Sequence, residues 1–307
     1  MKFSTRSAAT LLLASTITAH PVEKRQAAVT DLDILQYALT LEHLENVFYK
    51  KALVEFPESE FLAAGFSSAY YTNLKYVAMD EEQHVELLTT AIAGTGATPV
   101  AACTYDFPFT DPKSFVGLAS ILEGVGTSAY LGGAGLITSK AYLGVAGSIL
   151  VTESIHTSLQ RFNLGEIAPA NPYGTALGLN DVYTMAAAFI VSCPASNPAL
   201  PVKAFPSLTA VQGEPTSQGI PFTFSVKGTL PATFFVTFVS GLTIVSVTPT
   251  VSGSDVTAVV PDTVTGQSYA FLTSSATNVS VTDEMVLFGP TVVEVTPPAP
   301  QFNVSLQ

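Results

Sequence analysis

Two kinds of hydrophobic periodicity divide the chain. From Thr30 to Val191 apolar residues recur at three- and four-residue spacing, the signature of amphipathic helices. After Pro194 the spacing changes to runs of Val, Thr and Phe with alternation, the signature of strands. The first helix is predicted from Thr30 or Asp31 to about Phe56, with Thr30 and Asp33 as a capping box and Pro57 as its stop. The second runs from about Ser67 to Ala93 and ends at Gly94 and Gly96. The third starts at Asp111-Pro112 and runs to about Tyr130, where Gly132, Gly133 and Gly135 are expected to break it. The fourth covers about Thr138 to Phe162, and a short fifth starts near Asn180. Strand-like runs follow at 221–227, 232–239, 242–248, 255–260, 267–273 and 284–295, separated by turn residues. The expected class is therefore mainly α, then β. A four-helix bundle is followed by a C-terminal β-sandwich of immunoglobulin-like type, without a Cys-Trp-Cys core because the chain has no Trp.

The pattern also sets boundaries. Lys2 and Arg6 precede an apolar run from Ala8 to Ile17, and Thr18-Ala19 supplies small residues, so 1–19 reads as an export signal. Residues 20–25 end in the dibasic pair Lys24-Arg25, which reads as a processing site, with Gln26 as the expected mature start. The bundle is assigned 26–195, a Pro-rich linker 196–206 and the β domain 207–307. The expected location is outside the cell, in the medium or the cell wall. In an oxidising compartment Cys103 and Cys193 are read as one disulfide, with two buried thiols as the alternative. Asn278 and Asn303 begin glycosylation sequons.

Charge and composition narrow the partners. The chain of 307 residues carries a formal net charge of -12 and no basic cluster, which disfavours nucleic acid and favours cations. The apolar stretch 115–151 is interrupted by Glu123 and Lys140, with only 16 residues between them, so no membrane span is expected. No Gly-x-Ser-x-Gly elbow or phosphate-cradling glycine loop is present.

The candidate chemistry lies on the apolar stripes of the helices. Glu81-x-x-His84 and Glu153-x-x-His156 each place a carboxylate and an imidazole on one helix face. The third helix offers Glu123, and the first offers Glu42 or Glu45. The order Glu, Glu-x-x-His, Glu, Glu-x-x-His is the ligand pattern of di-iron and di-manganese carboxylate bundles. Tyr70, Leu74, Val77, Glu81, His84 or Val85, and Leu88 form one stripe; Tyr142, Val145, Ile149, Glu153, His156 and Leu159 form another. Four carboxylates on buried stripes need counter-charge, which two divalent cations provide. Oxygen and imidazole donors suit two ions of iron or manganese. Glu82 and Glu86 are expected to face solvent, His43 to be a surface residue, and Tyr49 and Tyr130 to support the ligands or simply fill the core.

The stretches Leu41-Glu-His-Leu-Glu-Asn-Val-Phe-Tyr49, Asp80-Glu-Glu-Gln-His84, the segment 123–132 and Ile149-Leu-Val-Thr-Glu-Ser-Ile-His156 resemble fungal ferritin-like domain proteins, relatives of stress-response and desiccation-related proteins. The resemblance covers roughly 30–195 and implies a ferritin-like fold with a di-iron site. It also favours Glu42 over Glu45, because the first-helix Glu of such proteins commonly has a Tyr seven residues later, here Tyr49. A di-iron oxidase or ferroxidase-type activity is the enzymatic expectation. The alternative is a metal-free structural or binding protein of the cell wall or extracellular matrix that recognises a partner through its β-sandwich. A storage cage is disfavoured by the appended β domain, although oligomers remain open.

Overall fold

The structure, a computed structural model, describes residues 29–211 and 215–301. The signal, the processing site and the Asn303 sequon lie outside the described residues. Thr30 caps α1 (Asp31–Glu55) through its side chain, and Asp33 completes the box. A one-turn helix that the pattern did not predict, α2 (Glu58–Ala63), follows Pro57. Then come α3 (Ser68–Gly94), capped by Ser67, and α4 (Pro112–Ala134), capped by Asp111. Last are α5 (Lys140–Asn163), capped by Ser139, and the short α6 (Leu179–Ala187). The helical part packs α1 on α3 and α4 on α5.

One helix boundary needs correction. Instead of breaking at Gly132 and Gly133, α4 continues through both to Ala134. Gly132 is there for closeness: a Cβ at this position would lie 1.8 Å from the carbonyl oxygen of Leu177. Packing against a neighbouring backbone outweighs the roughly 1 kcal/mol that glycine costs inside a helix. Helix α4 is long and apolar enough to cross a membrane by length and composition, but 61% of its most apolar window is buried inside the protein.

The helical part also contains a strand pair that the periodicity missed. Strand β1 (Thr104–Tyr105) pairs antiparallel with β2 (Ile190–Ser192), and the Cys103–Cys193 disulfide closes it. The bridge links positions 90 residues apart, which corresponds to ~4–5 kcal/mol in the chain-entropy model. The connecting stretch 194–207 has no regular structure but is held down: the backbone N–H of Lys203 donates to Asn180 at 2.6 Å and that of Phe205 to Thr184 at 2.9 Å.

The C-terminal part is β-rich. Its strands are β3 (Leu208–Ala210), β4 (Thr216–Ser217), β5 (Pro221–Val226), β6 (Phe235–Ser240), β7 (Thr243–Val247), β8 (Thr250–Ser252), β9 (Asp255–Val259), β10 (Gly266–Thr273) and β11 (Val286–Thr296). They form a five-stranded sheet, β4-β11-β10-β6-β7, and a four-stranded sheet, β3-β5-β9-β8. Three of these strands, β3, β4 and β8, are two or three residues long, too short to show a period. Phe222 and Phe224 of one sheet share a core with Phe238, Leu272 and Val295 of the other.

The two parts also share buried contacts. Tyr37, Val125, Ala129 and Val182 from the helices pack with Val239, Tyr269 and Phe271 from the strands. The Tyr269 hydroxyl reaches the carbonyl of Gly124 (3.0 Å) and the hydroxyl of Ser128 (2.8 Å). A Cβ on Gly124 would lie 2.2 Å from the Gln267 side chain, so this glycine admits the β-rich part to the surface of α4.

Candidate metal centre

A polar layer crosses the middle of the bundle between two apolar ones. On one side Leu35, Leu39, Leu88 and Ile92 pack together; on the other Phe48, Phe61, Leu74 and Phe115 do. Between them lie Glu42, Glu81, Glu123 and Glu153, all with no exposed surface, and His84 and His156, also buried. These are the six residues singled out from the helical stripes, and the tertiary fold brings all of them together. Glu45 joins the same neighbourhood as a fifth buried carboxylate, and Glu82 and Glu86 face solvent as expected.

Both imidazoles turn Nδ1 toward the acids. His84 Nδ1 lies 3.2 Å from Glu42, 3.4 Å from Glu81 and 3.6 Å from Glu153. His156 Nδ1 lies 3.0 Å from Glu81 and 3.3 Å from Glu123, while its Nε2 lies 3.3 Å from Asp80. Two overlapping groups result. Glu42, Glu81, His84 and Glu153 offer donor atoms within 4.8 Å of one another, and so do Glu81, Glu123, Glu153 and His156. Glu81 and Glu153 belong to both.

The electrostatics of this layer are costly without a cation. Burial is the main reason the Glu81 carboxyl is pushed up to about 7. Burial and neighbouring acids, Glu45 first, push Glu153 well above the usual carboxylate range; burial followed by Glu81 does the same to Glu45. Burial works against charge on His84, but Glu42 and Glu81 outweigh it and hold the imidazole up at about 10. For His156, burial is outweighed by Glu123 and Glu81, which raise it to about 11. Both oxygens of Glu81 and of Glu153, Oε2 of Glu123 and Nδ1 of His156 are buried and make no hydrogen bond among the described residues. Their ion-pair approaches lack hydrogen-bond geometry. Such atoms are rare in a folded interior, and metal coordination is one arrangement that satisfies them together. The donor set therefore fits metal.

Around the acids sits a second ring of polar side chains. Tyr49 donates to Glu123 and Tyr130 donates to Glu42. Gln160 donates to the Tyr49 hydroxyl at 3.0 Å and accepts from Tyr70. Gly126 makes room on α4: a Cβ there would lie 2.3 Å from Glu153 Oε2 and 3.0 Å from Glu45 Oε1.

Sequence reasoning missed Asp80 and Gln160. Gln160 follows His156 by four residues on the same stripe, and that spacing could have exposed it. Asp80 serves a histidine on another helix, which no local spacing encodes. His43 is half-buried, not a surface residue; its Nε2 lies 3.1 Å from the carbonyl oxygen of Val100, away from the cluster.

Fold and site together define a ferritin-like helical domain with buried carboxylate and histidine groups able to hold metal, continued by a β-rich part. Residues 30–166 match the family model of the ferritin-like domain. The chain is 28% identical over 185 residues to Protein rds1 of the fission yeast Schizosaccharomyces pombe; the match covers 59% of this chain and 44% of that protein. The chain thus spans less than half the length of this relative. The crystal structure of a conserved hypothetical protein from Mycobacterium tuberculosis aligns with a TM-score of 0.37 at 16% identity, covering 44% of this chain and 91% of that one.

Proposed function

We propose that the helical part binds two divalent ions of the iron or manganese type, with Glu42, Glu81 and His84 holding one, Glu81, Glu123 and His156 the other, and Glu153 shared between them. Glu42 is preferred to Glu45 because it belongs to one of the four-residue groups and Glu45 to neither. The observation that carries the reading is the sharing of Glu81 and Glu153 by both groups while their buried oxygens make no hydrogen bond. Iron or manganese held there supplies one-electron redox chemistry toward oxygen, peroxide or ferrous iron. An oxidase or ferroxidase-type reaction is the enzymatic form of this reading.

The chain's own residues have definable tasks in it. Tyr49 and Tyr130 hold Glu123 and Glu42 in their orientations. Asp80 accepts from Nε2 of His156, which leaves Nδ1 as the donor atom toward metal. The apolar layers above and below keep bulk water from the acids, which strengthens every charge interaction between them.

The test is metal content. After reconstitution with ferrous iron or manganese, the wild-type chain should carry about two ions, the number that offsets four carboxylates. His84→Ala and His156→Ala should each lose metal while keeping wild-type helix content. A folded wild type that takes up no metal overturns the reading.

Two finer readings accompany it. Secretion is supported by the Cys103–Cys193 disulfide, which suits an oxidising compartment; N-terminal sequencing of exported protein tests it, with Gln26 as the expected first residue. An immunoglobulin-like topology for the β-rich part is supported by β3-β5-β9-β8 facing β4-β11-β10-β6-β7, with β4 joining β11 in parallel.

A further inference from the structure

One helical turn from the carboxylate layer the bundle holds a cleft, open on one side, of about 110 Å³. Its position follows from the ligand helices. Ala38 precedes Glu42 by four residues on α1, Leu88 follows His84 by four on α3, and Ile149 precedes Glu153 by four on α5; all three line the cavity. Tyr130 on α4 forms part of the same wall, and its hydroxyl donates to Glu42. The cavity and the polar layer are thus adjacent, separated by one tyrosine–glutamate pair.

The chemistry of the wall selects an occupant. Several of its polar groups are already engaged: the Asp31 carboxylate accepts from the backbone N–H of Thr138 (2.7 Å) and of Ser139 (2.9 Å), Tyr37 donates to the carbonyl of Leu179 (3.2 Å), and Tyr130 donates to Glu42. No Lys, Arg or His lines it, so nothing there would neutralise an anion. Leu87 and Val145 line the cavity yet are 43% and 37% exposed, which marks the mouth between α3 and α5. An apolar cavity of roughly 150 Å³ holds benzene.

We infer that this cavity is a binding site for an uncharged apolar molecule, a slim hydrocarbon or aromatic body entering between α3 and α5 and ending against Tyr130. The site goes beyond the metal reading and does not depend on it. Where ions bind as proposed, the occupant lies beside their ligand Glu42.

The test uses the full chain, freed of metal with a chelator, and benzene as probe in calorimetric titration. Wild type should bind saturably. Gly133→Leu fills the cavity, because a Cβ at Gly133 meets no atom within 4 Å, and should weaken benzene at least tenfold with an unchanged unfolding transition. Should that variant lose cooperative unfolding, Ala38→Leu replaces it with the same expectation. Benzoate should bind wild type at least tenfold more weakly than benzene. The inference is overturned by absent saturable binding to wild type, by undiminished binding to the filled variant, or by benzoate binding as well as benzene. Metal uptake measured on the same preparation is a separate result, so the two readings fail separately.

Discussion

Arg161, in the last turn of α5, donates two hydrogen bonds to the carboxylate of Glu294 on β11, at 2.6 and 2.7 Å. Its guanidinium also donates to the carbonyl of Ile167 and lies 3.5 Å from Glu166. This is a two-pronged pair with the arginine buried, tying the helical part to the β-rich part. Replacing Glu294 by Ala should destabilise the chain by about 3 kcal/mol, the lower edge for breaking a buried pair, since Glu166 remains to offset part of the charge. Denaturant unfolding checks the value. The double variant Arg161→Met with Glu294→Leu should recover much of the loss, because it removes both charges together.

The metal-free chain should lose stability as pH rises. Glu81 is raised to about 7, so its contribution is complete below 4.5 and declines toward 7. His84 and His156 are raised to about 10 and 11, so theirs is complete below 6.5 and declines toward those values. Burial, with repulsion from Glu294, also raises Glu166 to about 7, with the same sign. Thermal unfolding in chelator should therefore show a falling midpoint from pH 5 to pH 9. Metal affinity should rise over the same range, because bound ions displace these protons. A midpoint that rises with pH in the metal-free protein would contradict the burial described for the cluster.

Glycines on two neighbouring helices should respond oppositely to Ala. At Gly144, exposed on α5 with no atom within 4 Å of an added Cβ, Ala should stabilise by about 0.5–1 kcal/mol through helix propensity. At Gly132, where the Cβ would meet the Leu177 carbonyl, Ala should destabilise by about 2–3 kcal/mol, as overpacking does. At Gly126 the obstacle is the flexible end of Glu153, so the fold should survive while metal affinity falls by roughly tenfold or more. Thermal unfolding and metal titration separate the three outcomes.

Tyr49→Phe should leave the Glu123 carboxylate with one donor fewer in a buried site. The expected cost is about 1.5–3 kcal/mol, the range for a hydrogen bond to a charged group. Metal affinity should fall roughly 10–100-fold, as it does when partners that orient ligands are removed. Equal metal uptake by wild type and variant would show that Tyr49 is only a core aromatic.

The amino-acid sequence by itself determined the four long helices, the caps Thr30 and Asp111, and the acids and histidines of the polar layer. These features are local. A Glu and a His three residues apart share a face on any helix, and Thr30 caps with Asp33 without outside help. The longer strands were legible for the same reason, since alternation needs several residues to show. What the tertiary structure decided is non-local. It brought Asp80 from α3 to His156 on α5, set the short strands β1 and β2 beside the Cys103–Cys193 bridge that the cysteine count had suggested, and carried α4 through Gly132 by pressing it on Leu177. It also decided between Glu42 and Glu45, which share a face of α1 by their spacing: only Glu42 comes within ligand distance of His84, Glu81 and Glu153 on the other helices. The contacts between elements depend on how closely two distant backbones approach, and that distance is fixed only when the helices and sheets pack.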